Sequence, residues 1–212
     1  MLDSNTNNDL ASVSECAPSP VFGKVRKHLT PEEVEQLRSA ARRISRQGHR
    51  DMTLVMLMAA HGLRVSELID LRWADIDLDT ARGASIYVRR LKNGKPSTQP
   101  LCGPEVRALR KLEQWGWESS GGFVFVSEQG GPMSDSNVRK MIARLGRAAG
   151  LSFPVHPHML RHACGYRLVN QEKPLSIRQI QDYLGHRNIS NTVWYTELSD
   201  KPFKDVEPAF RD

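Results

Sequence analysis

Apolar residues along this chain fall into short periodic runs separated by glycine and proline, and those runs predict its elements. Thr30 is placed to cap a helix, Pro31 suits the first helical position, and Glu33 completes a capping box. Val34, Leu37, Ala41 and Ile44 then recur at helical spacing as a buried stripe. Over residues 52–60 the chain is almost continuously apolar, which predicts a helix buried on most sides and stopped by Gly62. A second helix follows at once, with Val65, Leu68, Ile69 and Leu71 as its apolar positions. Residues 85–88 and 98–101 read as strands flanking Leu91-Lys92-Asn93-Gly94-Lys95, where Asn-Gly signals a tight turn. A helix over 105–115 comes next, and Phe123-Val124-Phe125-Val126 reads as one more strand. Ser134 or Asp135 caps a helix with Val138, Met141, Ile142 and Leu145 inward. Pro154 and Pro157 precede a helix over 158–170, and Pro174 separates it from a helix over 177–184 capped by Gly185. Asn188 or Ser190 starts a last helical segment carrying Trp194 and Tyr195. The expected fold class is α+β, mainly α with a small antiparallel β-sheet. Residues 1–28, rich in Ser, Asn and Pro and lacking apolar periodicity, are expected to form a flexible tail, with one domain over 29–198 and a C-terminal tail over 199–212.

Charge adds a partner to this picture. Thirty Lys and Arg against 24 Asp and Glu give a net charge of +6, which favours a polyanion, nucleic acid before an anionic membrane. The basic residues are also ordered. Arg38 and Arg42 share a face of the first helix, Lys140, Arg144 and Arg147 line up on a later one, and Lys92 and Lys95 ride on the hairpin. Each set fits contact with a phosphate backbone, and each also fits an ordinary solvated surface. The three cysteines, Cys16, Cys102 and Cys164, are widely spaced and form no CxxC, which points to a reducing compartment. The polar N-terminus carries no signal-peptide pattern and no apolar run approaches a membrane span, so a soluble cytoplasmic, nucleoid-associated protein is expected.

The candidate chemistry lies in His156-Pro157-His158-Met159-Leu160-Arg161-His162, in Leu184-Gly185-His186, and in Tyr195. His158, Arg161 and His162 stand at i, i+3 and i+4, close together on a helical surface. Three chemistries fit them: a zinc pair, packed structural histidines, or an anion site at a helix N-terminus. No HExxH glutamate is present, and Arg161 would set a fixed positive charge beside a dication, which disfavours metal. For phosphoryl transfer, a pair of arginines supplies forked permanent charge matched to phosphate oxygens, and Arg64 is the partner candidate. Glu67, one turn from Arg64, can pair with it. His158 and His186 suit holding or moving protons near neutral pH, and Lys92 suits protonating a leaving oxygen. Tyr195 is then a possible nucleophile, or simply an aromatic packing beside Trp194.

The stretch from His61 through Arg64 and Glu67 to Asp77, the hairpin Lys92, His158-Met159-Leu160-Arg161-His162, Leu184-Gly185-His186 and Tyr195 together resemble the tyrosine recombinase (phage integrase) family. Their order and spacing match, including the nine-residue step from His186 to Tyr195. Within that family the chain resembles the short fimbrial phase-switch DNA invertases. The resemblance implies a tyrosine recombinase catalytic domain that cuts and rejoins DNA through a 3′-phosphotyrosine. It implies that Arg64 and Arg161 clamp the scissile phosphate, Lys92 is the general acid and His158 the general base. His186 would bond the phosphate, Glu67 support the site and Tyr195 act as nucleophile. It further implies no metal or nucleotide cofactor, double-stranded DNA with specific sites as partner, a homo-tetramer on paired sites, and help from accessory DNA-bending proteins. A non-catalytic DNA-binding transcriptional regulator of the same fold is the alternative.

Overall fold

The computed structural model describes residues 27–91, 94–114 and 121–196. Helix α1 (Pro31–Ile44) starts as expected: Thr30 and Glu33 exchange side-chain to backbone hydrogen bonds of 3.3 and 2.9 Å. Its buried residues are Leu37, Ala40 and Ala41. Ile44, expected inward, is 39% exposed, because the helix ends there and the chain turns away into α2. Helix α2 (Gly48–His61) is the centre of the molecule, buried without a break from Arg50 to Met58 and packed against α1, α4 and α6. Each large apolar side chain taken out of water there contributes about 1.5–3 kcal/mol.

Gly62 ends α2 in the left-handed conformation (φ 59°), and a Cβ on it would lie 2.4 Å from Leu184 Cδ2. That turn feeds α3 (Val65–Ile69), a single 3-10 turn (Trp73–Asp75), and a three-stranded antiparallel sheet. The strands are β1 (Ile76–Asp77), β2 (Ser85–Val88) and β3 (Ser97–Pro100), in the order β1-β2-β3. β1 pairs Ile76 with Ile86, and β2 pairs Val88 with Ser97. With two residues, β1 is too short to show alternation in sequence. Pairing that stops at Val88 and Ser97 leaves residues 89–96 as the connection, longer than the tight Asn-Gly turn expected. Lys92 and Asn93 lie outside the described residues.

Helix α4 is Gly103–Glu113, two residues ahead of the expected start; Trp115 lies outside the described residues. The strand expected over 123–126 is not one. Phe123 and Val126 each make an isolated bridge, to Arg72 and Pro132, while Val124, Phe125 and Val126 are buried. The segment is apolar because it enters the core, and its neighbours run beside it for only one pair. Helices α5 (Asp135–Ala148), α6 (Pro157–Asn170), α7 (Ile177–Leu184) and α8 (Ser190–Thr196) follow. On α5, Val138, Met141, Ile142 and Leu145 are buried, as the spacing predicts. A second, smaller apolar cluster joins Cys164, Leu168 and Val169 of α6 to Ile180 and Leu184 of α7 and Tyr195 of α8. No helix among the described residues is long and apolar enough to cross a membrane.

Candidate active site

Glu67 organises the site. It is the third residue of α3, and its carboxylate reaches back to accept the amide of Arg64 at 2.9 Å, fixing the turn that follows Gly62. The same carboxylate meets the Arg64 guanidinium at 2.6 Å and that of Arg90 at 2.8 Å, and stands 3.9 Å from Arg161. Burial alone would raise its pKa, but the charges of Arg90, Arg161 and Arg64 and the Arg64 amide hold it below the usual carboxylate range. Three guanidinium groups against one carboxylate leave two positive charges in excess, enough to draw a phosphodiester.

Arg161 sits one turn inside α6 and is buried. It donates to the carbonyls of Gly62 and, at 2.6 Å, of Leu184, so it joins the end of α2 to the end of α7. Desolvation, then the charges of Arg64 and Arg90, pushes its pKa down to about 10, which leaves it charged at neutral pH. Arg90 is locked in the same way, donating to the carbonyls of His61 at 3.1 Å and Tyr183. Beneath them His61 lies 3.0 Å from Glu105 and 2.8 Å from Gln99, and Gln99 bonds the carbonyl of Tyr183 at 2.8 Å. These bonds tie α4 and β3 to the turn that carries Arg64.

His186 follows the α7 cap. Gly185 takes φ 65°, and a Cβ there would lie 2.6 Å from Arg90 Cγ, so both backbone shape and close approach require glycine. The His186 imidazole bonds Thr192 of α8 at 2.9 Å. Burial and then the charges of Arg161, Arg64 and Arg90 lower its pKa to about 3, so it is neutral here. His158 lies on the first turn of α6, edge-on to His156, with its ring partly covered, and that partial desolvation and the charge of Arg161 lower its pKa.

Tyr195 is 1% exposed. Its hydroxyl shares a 2.9 Å hydrogen bond with His162 Nδ1, and its ring lies parallel to that of His186, centroids 6.3 Å apart. Gly165 makes room for it: a Cβ on that residue would lie 2.5 Å from the phenol ring. Burial raises the Tyr195 pKa, which the Arg161 charge opposes. His162 is lowered to about 4 by burial and by the charges of His158 and Arg161.

The structure thus brings Arg64, Glu67, Arg161, His158, His186 and Tyr195 to the junction of α2, α3, α6, α7 and α8. Lys92 lies outside the described residues, on the connection whose Lys95 shares a pocket with His186. The basic stripes lie elsewhere. Arg38 and Arg42 line a groove of about 540 Å³ with His49, Arg107 and Lys111, and none of the catalytic candidates borders it. Lys140 and Arg144 line another of about 450 Å³ with Arg50 and Glu128, while Arg147 is exposed nearby on α5. On α5 the basic residue felt by His156 and His158 is Arg139, which sequence reasoning passed over. Arg90 was also missed as a member of the site, whereas His162, placed beside Arg161 by its spacing, was given no role of its own. Arg90 had a signal. Ile86 and Val88 face inward and Tyr87 and Arg89 outward, so alternation places Arg90 inward, where it needs a buried carboxylate.

The phage integrase family matches this chain over residues 27–201. The type 1 fimbriae regulatory protein FimB of Escherichia coli strain K12 is 43% identical over 176 residues, covering 82% of this chain and 85% of that protein. FimE of the same strain is 41% identical over 175 residues, covering 81% and 85%. Among solved structures, that of the XerA recombinase superposes with a TM-score of 0.72 at 29% identity, covering 84% of this chain and 63% of that one.

Proposed function

The chain belongs to the phage integrase family of tyrosine site-specific recombinases, and on that premise we propose that it inverts a DNA segment by cutting and rejoining both of its ends through Tyr195. The observation that carries the residue assignment is the meeting of Arg64 and Arg161 at Glu67, with His158, His186 and Tyr195 around them. In the proposed step the Tyr195 oxygen attacks the scissile phosphorus while Arg64 and Arg161 bind its non-bridging oxygens. His158 takes the phenol proton, His186 bonds the phosphate, and Lys92 protonates the departing 5′-oxygen. One P–O bond forms as another breaks, so the linkage energy is kept for rejoining, with neither metal nor nucleotide required. In the docked state burial raises the Tyr195 pKa and its hydroxyl is bonded to His162, so attack requires the phenol to leave His162 and approach the arginines, whose charge favours phenolate.

The partner on this reading is double-stranded DNA carrying paired specific sites, bound by a homo-tetramer with accessory DNA-bending proteins. The cytoplasm, at the nucleoid, is its place of action. Arg38, Arg42, Lys95, Lys140, Arg144 and Arg147 are proposed to hold backbone phosphates beyond the scissile one. The test is a plasmid carrying the DNA that flanks the gene, co-expressed with the chain and assayed by PCR for reversal of any segment between inverted repeats. Reversal that stops with Tyr195→Phe is expected. A regulatory effect on the flanking promoter that survives Tyr195→Phe, with no reversal by wild type, would instead identify a non-catalytic regulator.

A further inference from the structure

We propose that Lys95, Arg178 and Arg187 form a second phosphate subsite beside His186, which takes the DNA backbone phosphate next to the one undergoing transfer. This rests on the recombinase reading above. A pocket of about 180 Å³ lies at the end of α7, lined by Lys95 from the β2–β3 connection, Arg178 and Asp182 from α7, and His186 and Arg187 beyond its cap. A wider depression of about 720 Å³ shares Arg178 and Arg187 with it and continues to Asn188 and Ile189. The shared residues make the two adjoining hollows, the wider one opening outward from the pocket beside His186.

The pocket is fixed in place on both sides. Gly94 sits so close to the α7 cap that a Cβ on it would lie 2.8 Å from the Gly185 carbonyl oxygen and 2.8 Å from Arg90 Cβ. Lys95, the next residue, lines the same pocket as His186. On the other side Arg178 bonds Gln181 at 3.2 Å and stands 3.8 Å from Asp182. Three cations against that one carboxylate leave the pocket two charges positive, with the His186 imidazole neutral. Successive phosphates of one strand advance only about 3.4 Å along the duplex axis. A strand held at Arg64 and Arg161, whose charges His186 feels, would carry its next phosphate toward the pocket that His186 also lines. The α7–α8 turn thus serves two purposes: His186 faces the reacting phosphate and Arg187 its neighbour.

The test measures binding of the full chain to a fluorescent duplex of mixed sequence across a salt series. Arg187→Gln and Lys95→Gln should each weaken binding about tenfold and lower the slope of log affinity against log salt by about one. Arg82→Gln, whose side chain is 79% exposed and paired with Asp79 at 2.7 Å, should change neither. Once the joined position has been mapped from the Tyr195 adduct, a neutral methylphosphonate at the adjacent phosphate should abolish the Arg187→Gln deficit. Unchanged slopes in both variants, or a deficit that persists at every methylphosphonate position, would overturn the subsite. A wild type that forms no adduct sinks the recombinase reading and the subsite's place beside the reacting phosphate with it, whereas unchanged slopes beside a normal adduct sink the subsite alone.

Discussion

Glu67 is worth more to this protein as a counter-ion than as a reactant. Its side chain is 1% exposed, and the side chain of Arg90 facing it is fully buried. Removing the carboxylate leaves that guanidinium without its charge partner, a loss of about 3–5 kcal/mol in comparable buried pairs. Glu67→Ala should therefore lower the melting temperature by roughly 10 °C, and a melting curve that overlays the wild type would contradict the pairing. Arg64 and Glu67 were legible as a pair from their spacing. Arg90 was not, because an arginine after a strand looks like a solvated edge until the inward alternation of β2 is followed through it.

The buried imidazoles make a second prediction at this scale. His162 and His186 are lowered to about 4 and about 3, whereas in the unfolded chain both protonate near 6.5. Protons therefore bind the unfolded chain first, so the stability from these groups is complete above pH 6.5 and lost as pH falls toward 4 and 3. Glu67 and Glu105, lowered from 4.5, act in the same direction but only in more acid solution, so the window from pH 7 to 5 reports the histidines. Calorimetry should show the melting temperature falling by roughly 5 °C across that window, and by less in His186→Asn. A flat profile would mean that the imidazoles are not held neutral.

Among the elements, α8 packs on α6 and α7, and Gly165 of α6 is where its Tyr195 ring docks. Alanine in place of a mid-helix glycine ordinarily stabilises by about 0.5–1 kcal/mol. At Gly165 the sign should reverse, because the added methyl meets the Tyr195 ring. Gly165→Ala should release α8 and speed amide exchange over residues 190–196 about tenfold or more, while α1 and α2 keep their protection. Slower exchange there, with higher overall stability, would show that Tyr195 is not docked on α6. The boundaries of α6 and α7 could be read closely from their prolines and glycine, which act on the backbone directly. The strand expected at 123–126 failed for the opposite reason. A short apolar run reports burial, and only tertiary neighbours decide whether it is paired along its length.

For the whole molecule, the excess of positive charge is divided among separate places. The arginines at Glu67, the groove of Arg38, Arg42 and Arg107, and the groove of Lys140 and Arg144 arise on different elements. Sequence order revealed the stripes as stripes, but helix packing decides which basic residue borders the candidate site, and it placed Arg139, outside both stripes, beside His156 and His158. If these surfaces act together on one duplex, affinity should fall by about a thousandfold between 50 and 200 mM salt, as read by fluorescence anisotropy. A flat response would mean that the grooves do not bind backbone phosphates.

Covalent joining of Tyr195 to DNA is the step on which the proposed recombination turns. A duplex from the flanking inverted repeats, nicked just beyond the cleavage position so that the leaving fragment diffuses away, traps that linkage. Wild type should give a protein–DNA adduct that survives denaturing electrophoresis and maps by peptide mass to Tyr195, and Tyr195→Phe should bind the same duplex equally well without forming one. An adduct that persists in Tyr195→Phe, or none from a wild type that binds the duplex, would rule out Tyr195 as the nucleophile.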